Sequence, residues 1–420
     1  MDDSEYTQLK LVFYRPHAEI WFKSTVRHIL RNNRSPSKYA ALFDYALNSD
    51  MQIYLMPKLA PRGDLKAIIK SVLDLIVLAS WCILNNISLR KVGLIFGKRG
   101  LLGKAAFFAM HYGNFTHEFK SIAQRGMQLS QDLADVQIYK VVHMTHYAYN
   151  PSVGFNNLKV FSPDLLVAEN NLSNNSKYFK EFFGTLESNF HHLSYTLAPR
   201  FKNRMPFEDR VNKLVVTGSI TYKIKDAEFI RFYKQNELQP LRRDLYENSK
   251  KYRLEMECLL NDLDAVRANT PVSSGNGIVH RIFQLLKGSP PSQNSYYKID
   301  IVETYNKHMM FAVPEEICGL PAIGFVEGMA CGCAYFGLDD PMYREIGLIP
   351  GVHYITHDGT SSDLMAKVRY YQNNTDELKI IAQSGHEFVT NKLTPTSVYG
   401  NFFELLKAKL ANKQNSTVKA

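Results

Sequence analysis

Hydrophobic residues in the first half of the chain fall into short apolar runs, separated by polar stretches with helical spacing. Short apolar runs bounded by polar or turn-forming residues are typical of buried strands. Helices are predicted at 19–32 and 174–183, and strands at 9–14, 51–55, 137–143, 164–168 and 192–197. Because strands that alternate with helices favour a parallel sheet, the first half is predicted to be an α/β domain.

The second half shows the same alternation after a basic, proline-containing stretch at 200–210, which is typical of a linker. An apolar run at 213–219 predicts the first strand of this half, and the polar stretch 226–263 is predicted to be helical. Residues 376–393 and 398–410 are predicted to be closing helices. We therefore predict an N-terminal domain at 1–205, a C-terminal domain at 206–408 and a disordered tail at 409–420.

Composition narrows the choice of partners. The chain has 420 residues, of which 45% are hydrophobic, so it is long enough for two packed domains. Its net charge of +10 implies an anionic partner, such as nucleotide phosphates, acidic glycan or an anionic membrane surface. No recognisable nucleic-acid-binding motif is present. Five cysteines without zinc spacing and an acidic, polar N-terminus predict a cytoplasmic protein.

The segment 66–108 is strongly apolar, and among its charged residues only Asp74 is acidic. An apolar, basic segment that is too short to span a bilayer is typical of an element lying on the inner face of a membrane. The alternative is an inserted helical pair that packs on the N-terminal domain and leaves a solvated basic rim. The sequence does not decide between the two.

The stretch 324–333 predicts a short helix with Glu327 in its first turn and a stop at Gly332, followed by a strand at 334–336. A helix N-terminus presents unpaired amides and a partial positive charge, which suit a phosphate. A glutamate beside that phosphate can accept hydrogen bonds from two neighbouring sugar hydroxyls. The alternative is an ordinary joint between helix and strand, in which Glu327 only favours the helix dipole.

The sequence Gly-Phe-Val-Glu-Gly-Met-Ala-Cys-Gly at 324–332 resembles the Glu-Ala-Met-Ala-Cys-Gly signature of retaining, group 1 nucleotide-sugar glycosyltransferases. Segments at 301–314, 343–354 and 363–365 resemble the flanking parts of that family. The resemblance implies the GT-B fold, in which two Rossmann-like domains with parallel sheets face each other across a cleft. The family has a second glutamate eight positions before the signature glutamate, but that position is Gly319 here, and Glu315 and Glu316 lie slightly earlier.

For the donor, the resemblance implies that the C-terminal domain binds a nucleotide-diphosphate sugar without a metal ion or other cofactor. Glu327 would bind the ribose, and Glu316 would contact the donor sugar as a catalytic residue. The amides of Gly324 and Phe325, with that of Gly218, would contact the diphosphate. Ser219 lies beside Gly218 after the first strand of this domain, and Lys223 and Lys225 follow and could neutralise the phosphates. The alternative is a routine turn with solvated lysines.

For the acceptor, the N-terminal domain offers the stretch 143–150, which directly follows a predicted strand and is rich in histidine and tyrosine. His146 is the catalytic candidate, because histidine can act as a general base or bond the transferred sugar. Four further residues are predicted to bind the acceptor: Arg15, His17, His143 and Tyr147. The alternative is a capped strand end with buried rings.

Together these features predict a glycosyltransferase that moves a sugar to a glycan or lipid-linked acceptor in the synthesis of cell-surface polysaccharide or glycoconjugate. One alternative is an epimerase or phosphorylase-like enzyme of the same fold. Another is a non-catalytic nucleotide-sugar-binding protein, since the paired-glutamate pattern is incomplete.

Overall fold

A computed structural model of the chain describes residues 9–14, 40–56, 83, 91–95, 97–116, 129–220, 223–262 and 299–418. The predictions for Arg15, His17 and the helix at 19–32 lie outside these residues. So do residues 66–82, 84–90 and 96 of the apolar, basic segment.

The first domain is built on a sheet of seven parallel strands. Their spatial order is β3-β2-β1-β4-β5-β6-β7, and each neighbouring pair is parallel. The strands are β1 (Lys10–Tyr14), β2 (Gln52–Met56), β3 (Val92–Leu94), β4 (Ala106–Ala109), β5 (Tyr139–His143), β6 (Leu165–Ala168) and β7 (Asn189–His192). The helices are α1 (Ala40–Asn48), α2 (Pro151–Phe161), α3 (Leu172–Asn175) and α4 (Lys177–Phe183). Strands β4, β5 and β6 are buried throughout, as expected when both faces of a parallel sheet are covered.

The second domain has a sheet of five parallel strands in the order β12-β11-β10-β8-β9. The strands are β8 (Val211–Ile220), β9 (Met256–Asp262), β10 (His308–Ala312), β11 (Ala334–Leu338) and β12 (Ile355–His357). The helices are α5 (Ala227–Tyr233), α6 (Pro240–Glu247), α7 (Ile301–Lys307), α8 (Gly324–Ala330), α9 (Pro341–Ile346), α10 (Ser361–Asn373), α11 (Thr375–Lys392) and α12 (Pro395–Val418). The predicted α/β architecture with two parallel sheets is confirmed.

Each sheet reverses its strand order at one point. In the first sheet the reversal lies between β1 and β4, and in the second it lies between β8 and β10. Ligands of open α/β sheets bind outside the carboxyl ends of the strands at such reversals. A site is therefore expected outside the carboxyl ends of the strands, near β1 and β4 in the first sheet and near β8 and β10 in the second.

The last helix, α12, returns to the first domain. The ring of Phe403 stacks on Tyr45 of α1 at 5.8 Å, and Phe402 meets Phe108 of β4 edge-on at 6.3 Å. Near its end, Lys413 pairs with Asp164 at 2.6 Å. These contacts hold the end of the chain, and the helix continues to Val418. The prediction of a disordered tail from residue 409 is wrong up to that residue.

The described end of the apolar, basic segment is part of the first sheet. Strand β4 pairs with β1 on one side and β5 on the other, and Phe107 and Phe108 have no exposed surface. The basic side chain of Lys98 forms an ion pair with Asp135 of the same domain. Neither a membrane element nor a helical pair describes residues 91–95 and 97–108, because most of their large apolar side chains belong to the core, namely Val92, Ile95, Leu101, Phe107 and Phe108. For the rest of the segment both remain predictions.

Two further elements differ from the sequence predictions, and both are edge strands. The strand predicted at 192–197 lies earlier, as β7, and the stretch predicted to be helical at 226–263 ends in β9. Both strands are only partly buried. A partly exposed edge strand carries polar residues, so its pattern lacks the continuous apolar run that identified the central strands.

Among the described residues, no helix is long and apolar enough to cross a membrane.

Candidate active site

A cavity of about 260 Å³ lies between the carboxyl ends of the two sheets. Its polar lining comes from both domains. Thr145, His146 and Glu169 line it from the first domain, and Gln239, Arg242, Glu316 and Glu327 line it from the second. Two residues predicted as catalytic, His146 and Glu316, thus face the same cavity as Glu327, the predicted ribose ligand.

On the floor of the cavity, Gly218 and Ser219 lie within strand β8, which continues to Ile220 and pairs with β9. The prediction of a turn at these residues is therefore wrong. Gly218 has φ 130°, and a Cβ added there would lie 3.1 Å from Nη1 of Arg242. A glycine is thus required both by its backbone conformation and by the close approach of the guanidinium.

Arg242 lies in helix α6, is only 7% exposed and places its charge at the cavity wall. Its Nε donates to the carbonyl of Pro314 at 2.6 Å, and its Nη1 donates to the carbonyl of Ser219 at 2.8 Å. These two bonds join the ends of β8 and β10 and hold the guanidinium plane in place. A fixed, buried cation is well suited to bind an anionic group.

The segment before helix α8 forms the next part of the wall. The amide of Phe325 donates to the carbonyl of Ala322, and the amide of Val326 donates to Ile323, each at 3.1 Å. The Phe325 amide is thus bonded within its own turn, and its predicted contact with a diphosphate is corrected. Residues 322–324 form the first part of this turn and line the cavity, together with Glu327.

Glu315 and Glu316 follow β10 and face opposite ways. Glu315 is buried and accepts hydrogen bonds from the hydroxyls of Tyr335 and Tyr343 and from the amide of Leu338 at 3.1 Å. Burial raises the pKa of both tyrosines, so they stay protonated and donate to Glu315. Glu316 instead reaches the cavity and accepts a bond from Gln239 at 3.3 Å. The structure therefore assigns the cavity position to Glu316.

In the first domain, His146 has a left-handed backbone with φ 58° and lies in the turn after β5. Its ring lies 5.5 Å from that of His111 and 6.3 Å from that of Tyr149. The left-handed residue changes the direction of the chain, so His146 and Tyr149 face the cavity while Tyr147 enters the core.

Glu169 directly follows β6 and is 1% exposed, yet it lines the cavity. Its Oε1 lies 3.5 Å from the hydroxyl of Thr145. Burial raises the pKa of Tyr195 well above its usual value, and a hydrogen bond to Glu169 adds to the effect, so the Tyr195 hydroxyl stays protonated. A buried carboxylate with hydroxyl partners thus faces the second domain.

Besides Phe325, four predicted site residues in the described part of the chain do not line the cavity. Tyr147 has no exposed surface, and its hydroxyl bonds Ser176 and the carbonyl of Cys318, so its predicted acceptor role is wrong. His143 is likewise completely buried, and its Nδ1 accepts from the Thr145 amide at 3.1 Å. Lys223 and Lys225 are exposed, and Lys223 lies 3.6 Å from Glu237. The lysines fit the alternative of solvated side chains.

Sequence reasoning did not identify Arg242 or Glu169. Glu169 could have been found, because it follows a correctly predicted strand in the same way as His146. No local signal marks Arg242, which reaches the cavity from a helix that packs over β8. No group of three or more His, Cys, Asp or Glu side chains within the described ranges is placed to hold a metal ion.

Residues 329–419 match the family model described as glycosyl transferase family 90. This segment begins after Glu327, so the match does not test the signature. No curated protein sequence matches the chain significantly.

Solved structures resemble the whole chain. HepE from Anabaena, in complex with UDP, has 12% identity and a TM-score of 0.52, with 96% of this chain and 100% of that chain covered. Sucrose-phosphate synthase from Thermosynechococcus elongatus has 10% identity and a TM-score of 0.53, with the same coverage. At such identities the likeness establishes the fold, and the predicted GT-B architecture is confirmed.

Proposed function

We propose that this GT-B glycosyltransferase moves a sugar from a nucleotide-diphosphate donor to a glycan or lipid-linked acceptor. The observation that supports the proposal most strongly is the cavity between the two sheets. Its second-domain wall carries one buried cation, Arg242, and two carboxylates, Glu316 and Glu327. A nucleotide-diphosphate sugar needs a cation for its phosphates and hydrogen-bond acceptors for its ribose and sugar hydroxyls.

Each donor group has a candidate partner on that wall. Arg242 would bind the diphosphate, together with the backbone of residues 322–324, and Glu327 would accept hydrogen bonds from the ribose hydroxyls. Glu316 would contact the hydroxyls of the transferred sugar. UDP is the nucleotide we propose first, because HepE has been solved with UDP and with UDP-glucose.

For the transfer step, the leaving diphosphate gains negative charge as the bond to the sugar breaks. Arg242 is already fixed by two carbonyls, so it can stabilise that charge without reorganising. We therefore propose that the reaction needs no metal ion. His146 faces the transferred sugar from the first domain, where it can hold a sugar hydroxyl or take a proton. Retention of the anomeric configuration is proposed from the sequence resemblance alone.

The acceptor would enter from the first domain, where the rings of Tyr149 and Tyr195 line the cavity and suit the apolar face of a sugar. We keep cell-surface polysaccharide or glycoconjugate synthesis as the proposed setting. A cytoplasmic location, with or without contact to the inner membrane surface, belongs to the same proposal.

Thermal unfolding with a panel of nucleotide sugars tests the donor. A ligand that binds only the folded state stabilises it, and at 100 times Kd the gain is about 2.7 kcal/mol, or several degrees in Tm. We expect UDP and at least one UDP-sugar to raise Tm, and the matching free sugar not to do so.

The stabilising donor is then incubated with oligosaccharide or lipid-linked acceptors. Release of UDP with sugar transfer supports the proposal. Turnover only to an epimer or a sugar phosphate would identify the alternative enzymes. Binding with no turnover on any acceptor, phosphate or water would identify a binding protein, and no binding would refute the donor site.

A further inference from the structure

Residues 315–320, here called the 315–320 loop, connect β10 to the segment before α8 and carry Glu316. The loop belongs in sequence to the second domain, but Cys318 and Leu320 are buried in a hydrophobic cluster made mostly of first-domain side chains. Its conformation therefore depends on side chains from both domains.

The first domain holds the backbone of the loop through three polar side chains. The Tyr147 hydroxyl donates to the carbonyl of Cys318, and Ser176 lies 3.3 Å from the same oxygen. Asn170 donates through Nδ2 to the carbonyl of Gly319 at 2.8 Å. All three side chains are nearly or completely buried, so water competes little for these bonds.

The second domain holds the start and the middle of the same loop. At the start, Glu315 is bonded by Tyr335, Tyr343 and the Leu338 amide. In the middle, the amide of Ile317 donates to the carbonyl of Leu238 at 3.0 Å. The amide of Gly319 donates to the backbone carbonyl of Glu316 at 3.1 Å. Gly319 adopts φ 79°, which closes the turn. Glu316 thus lies between an anchor in its own domain and an anchor in the other.

We propose that Tyr147 and Asn170 are positioning residues, which fix the Glu316 carboxylate from the opposite domain through the carbonyls of Cys318 and Gly319. This proposal rests on the proposed role of Glu316 in contacting the donor sugar. Neither residue lines the cavity, so the proposed route to the reaction is through the loop. The Glu316 carboxylate is held in the cavity only while the two domains are in contact. Separation of the domains would break the three hydrogen bonds that the first domain donates to the loop.

Two variants remove these bonds, and the chain offers a matched control for each. Tyr147→Phe is compared with Tyr178→Phe, since Tyr178 is equally buried and donates at 3.1 Å to Ala148 within the first domain. Asn170→Ala is compared with Asn157→Ala, whose buried amide donates at 2.8 Å to Phe115. Both controls remove the same chemical group and leave the loop bonds intact.

Two measurements are made on the full chain. Amide hydrogen exchange of Ile317 and Gly319 reports whether the loop is held, and it needs no substrate. The kcat and the UDP Kd report the consequence, because a small misplacement of a catalytic group costs kcat by about 10- to 100-fold. We expect faster exchange and lower kcat in Tyr147→Phe and Asn170→Ala than in their controls, with UDP Kd unchanged within about twofold.

Combination with Glu316→Gln decides whether the effect passes through Glu316. If it does, the double variant turns over no more slowly than Glu316→Gln alone, since the positioned carboxylate is already absent. The proposal would be overturned if the kcat losses of the two substitutions multiplied in the double variant. It would also be overturned by a normal kcat in the single variants or by unchanged amide exchange. Normal kcat in Glu316→Gln would instead refute the proposed role of Glu316, with the exchange result still reporting whether the loop is anchored.

Discussion

A Glu316→Gln variant is expected to bind UDP normally and to lose kcat by about 100-fold or more. The amide keeps the size of the side chain and can still bond Gln239, but it removes the negative charge that faces the cavity. Removing one group that stabilises charge in a transition state costs about 100- to 1000-fold in kcat. The measurement is steady-state transfer from the stabilising UDP-sugar, with UDP Kd determined by calorimetry.

Glu345→Gln is the control for that variant, because Glu345 is exposed on helix α9 and outside the cavity. It should retain full kcat. Full activity in Glu316→Gln would remove the catalytic role from this residue. A fall in kcat accompanied by an equal weakening of UDP binding would assign Glu316 to nucleotide binding instead.

Replacing Arg242 by methionine is expected to weaken UDP binding by about 100-fold. Methionine fills similar space, but the variant loses the buried charge and leaves the carbonyls of Pro314 and Ser219 without this donor. Hydrogen bonds to charged groups contribute about 1.5–3 kcal/mol each, and a 100-fold change in Kd corresponds to about 2.8 kcal/mol. Calorimetric titration of UDP measures the change directly.

The neighbouring arginine provides the matched control. Arg243 pairs with Asp262 at 2.5 Å and with Glu237 at 3.7 Å, and it does not line the cavity. Arg243→Met should therefore lower Tm without changing UDP Kd. Equal UDP affinity in wild type and Arg242→Met would show that the diphosphate is bound elsewhere.

Most of the buried strands were predictable from sequence because they are continuous apolar runs. Strand β4 is the exception, since its run lies inside the apolar, basic segment that was predicted to be a membrane element or a helical pair. β1, β5, β6, β8 and β11 all lie where such runs occur. β5 and β6 are fully buried, and the other three are buried over most of their length. The edge strands β7 and β9 were misplaced or missed, since their exposed faces carry polar residues. The order of strands and the return of α12 to the first domain depend on tertiary packing, which no local pattern encodes.

At the site, the sequence identified cavity-lining residues where they closely follow a predicted strand or lie in the first turn of a recognisable helix. His146 and Glu327 are such residues. It failed for Tyr147, because the left-handed residue before it directs the tyrosine into the core. It also failed for Arg242, whose position over Gly218 depends on how α6 packs against β8. The choice between Glu315 and Glu316 required the structure, since only the partners Tyr335 and Tyr343 show which carboxylate is buried.

The measurement that tests the donor site most directly is calorimetric titration of UDP and of its 2′,3′-dideoxy analogue into wild type and Glu327→Ala. If Glu327 holds the ribose hydroxyls, wild type binds UDP at least about tenfold more tightly than the analogue. Glu327→Ala should bind UDP about tenfold more weakly and no longer distinguish the two ligands, while exposed Glu303→Ala behaves as wild type. Unchanged UDP affinity in Glu327→Ala, with the preference for UDP retained, would contradict the nucleotide site proposed here.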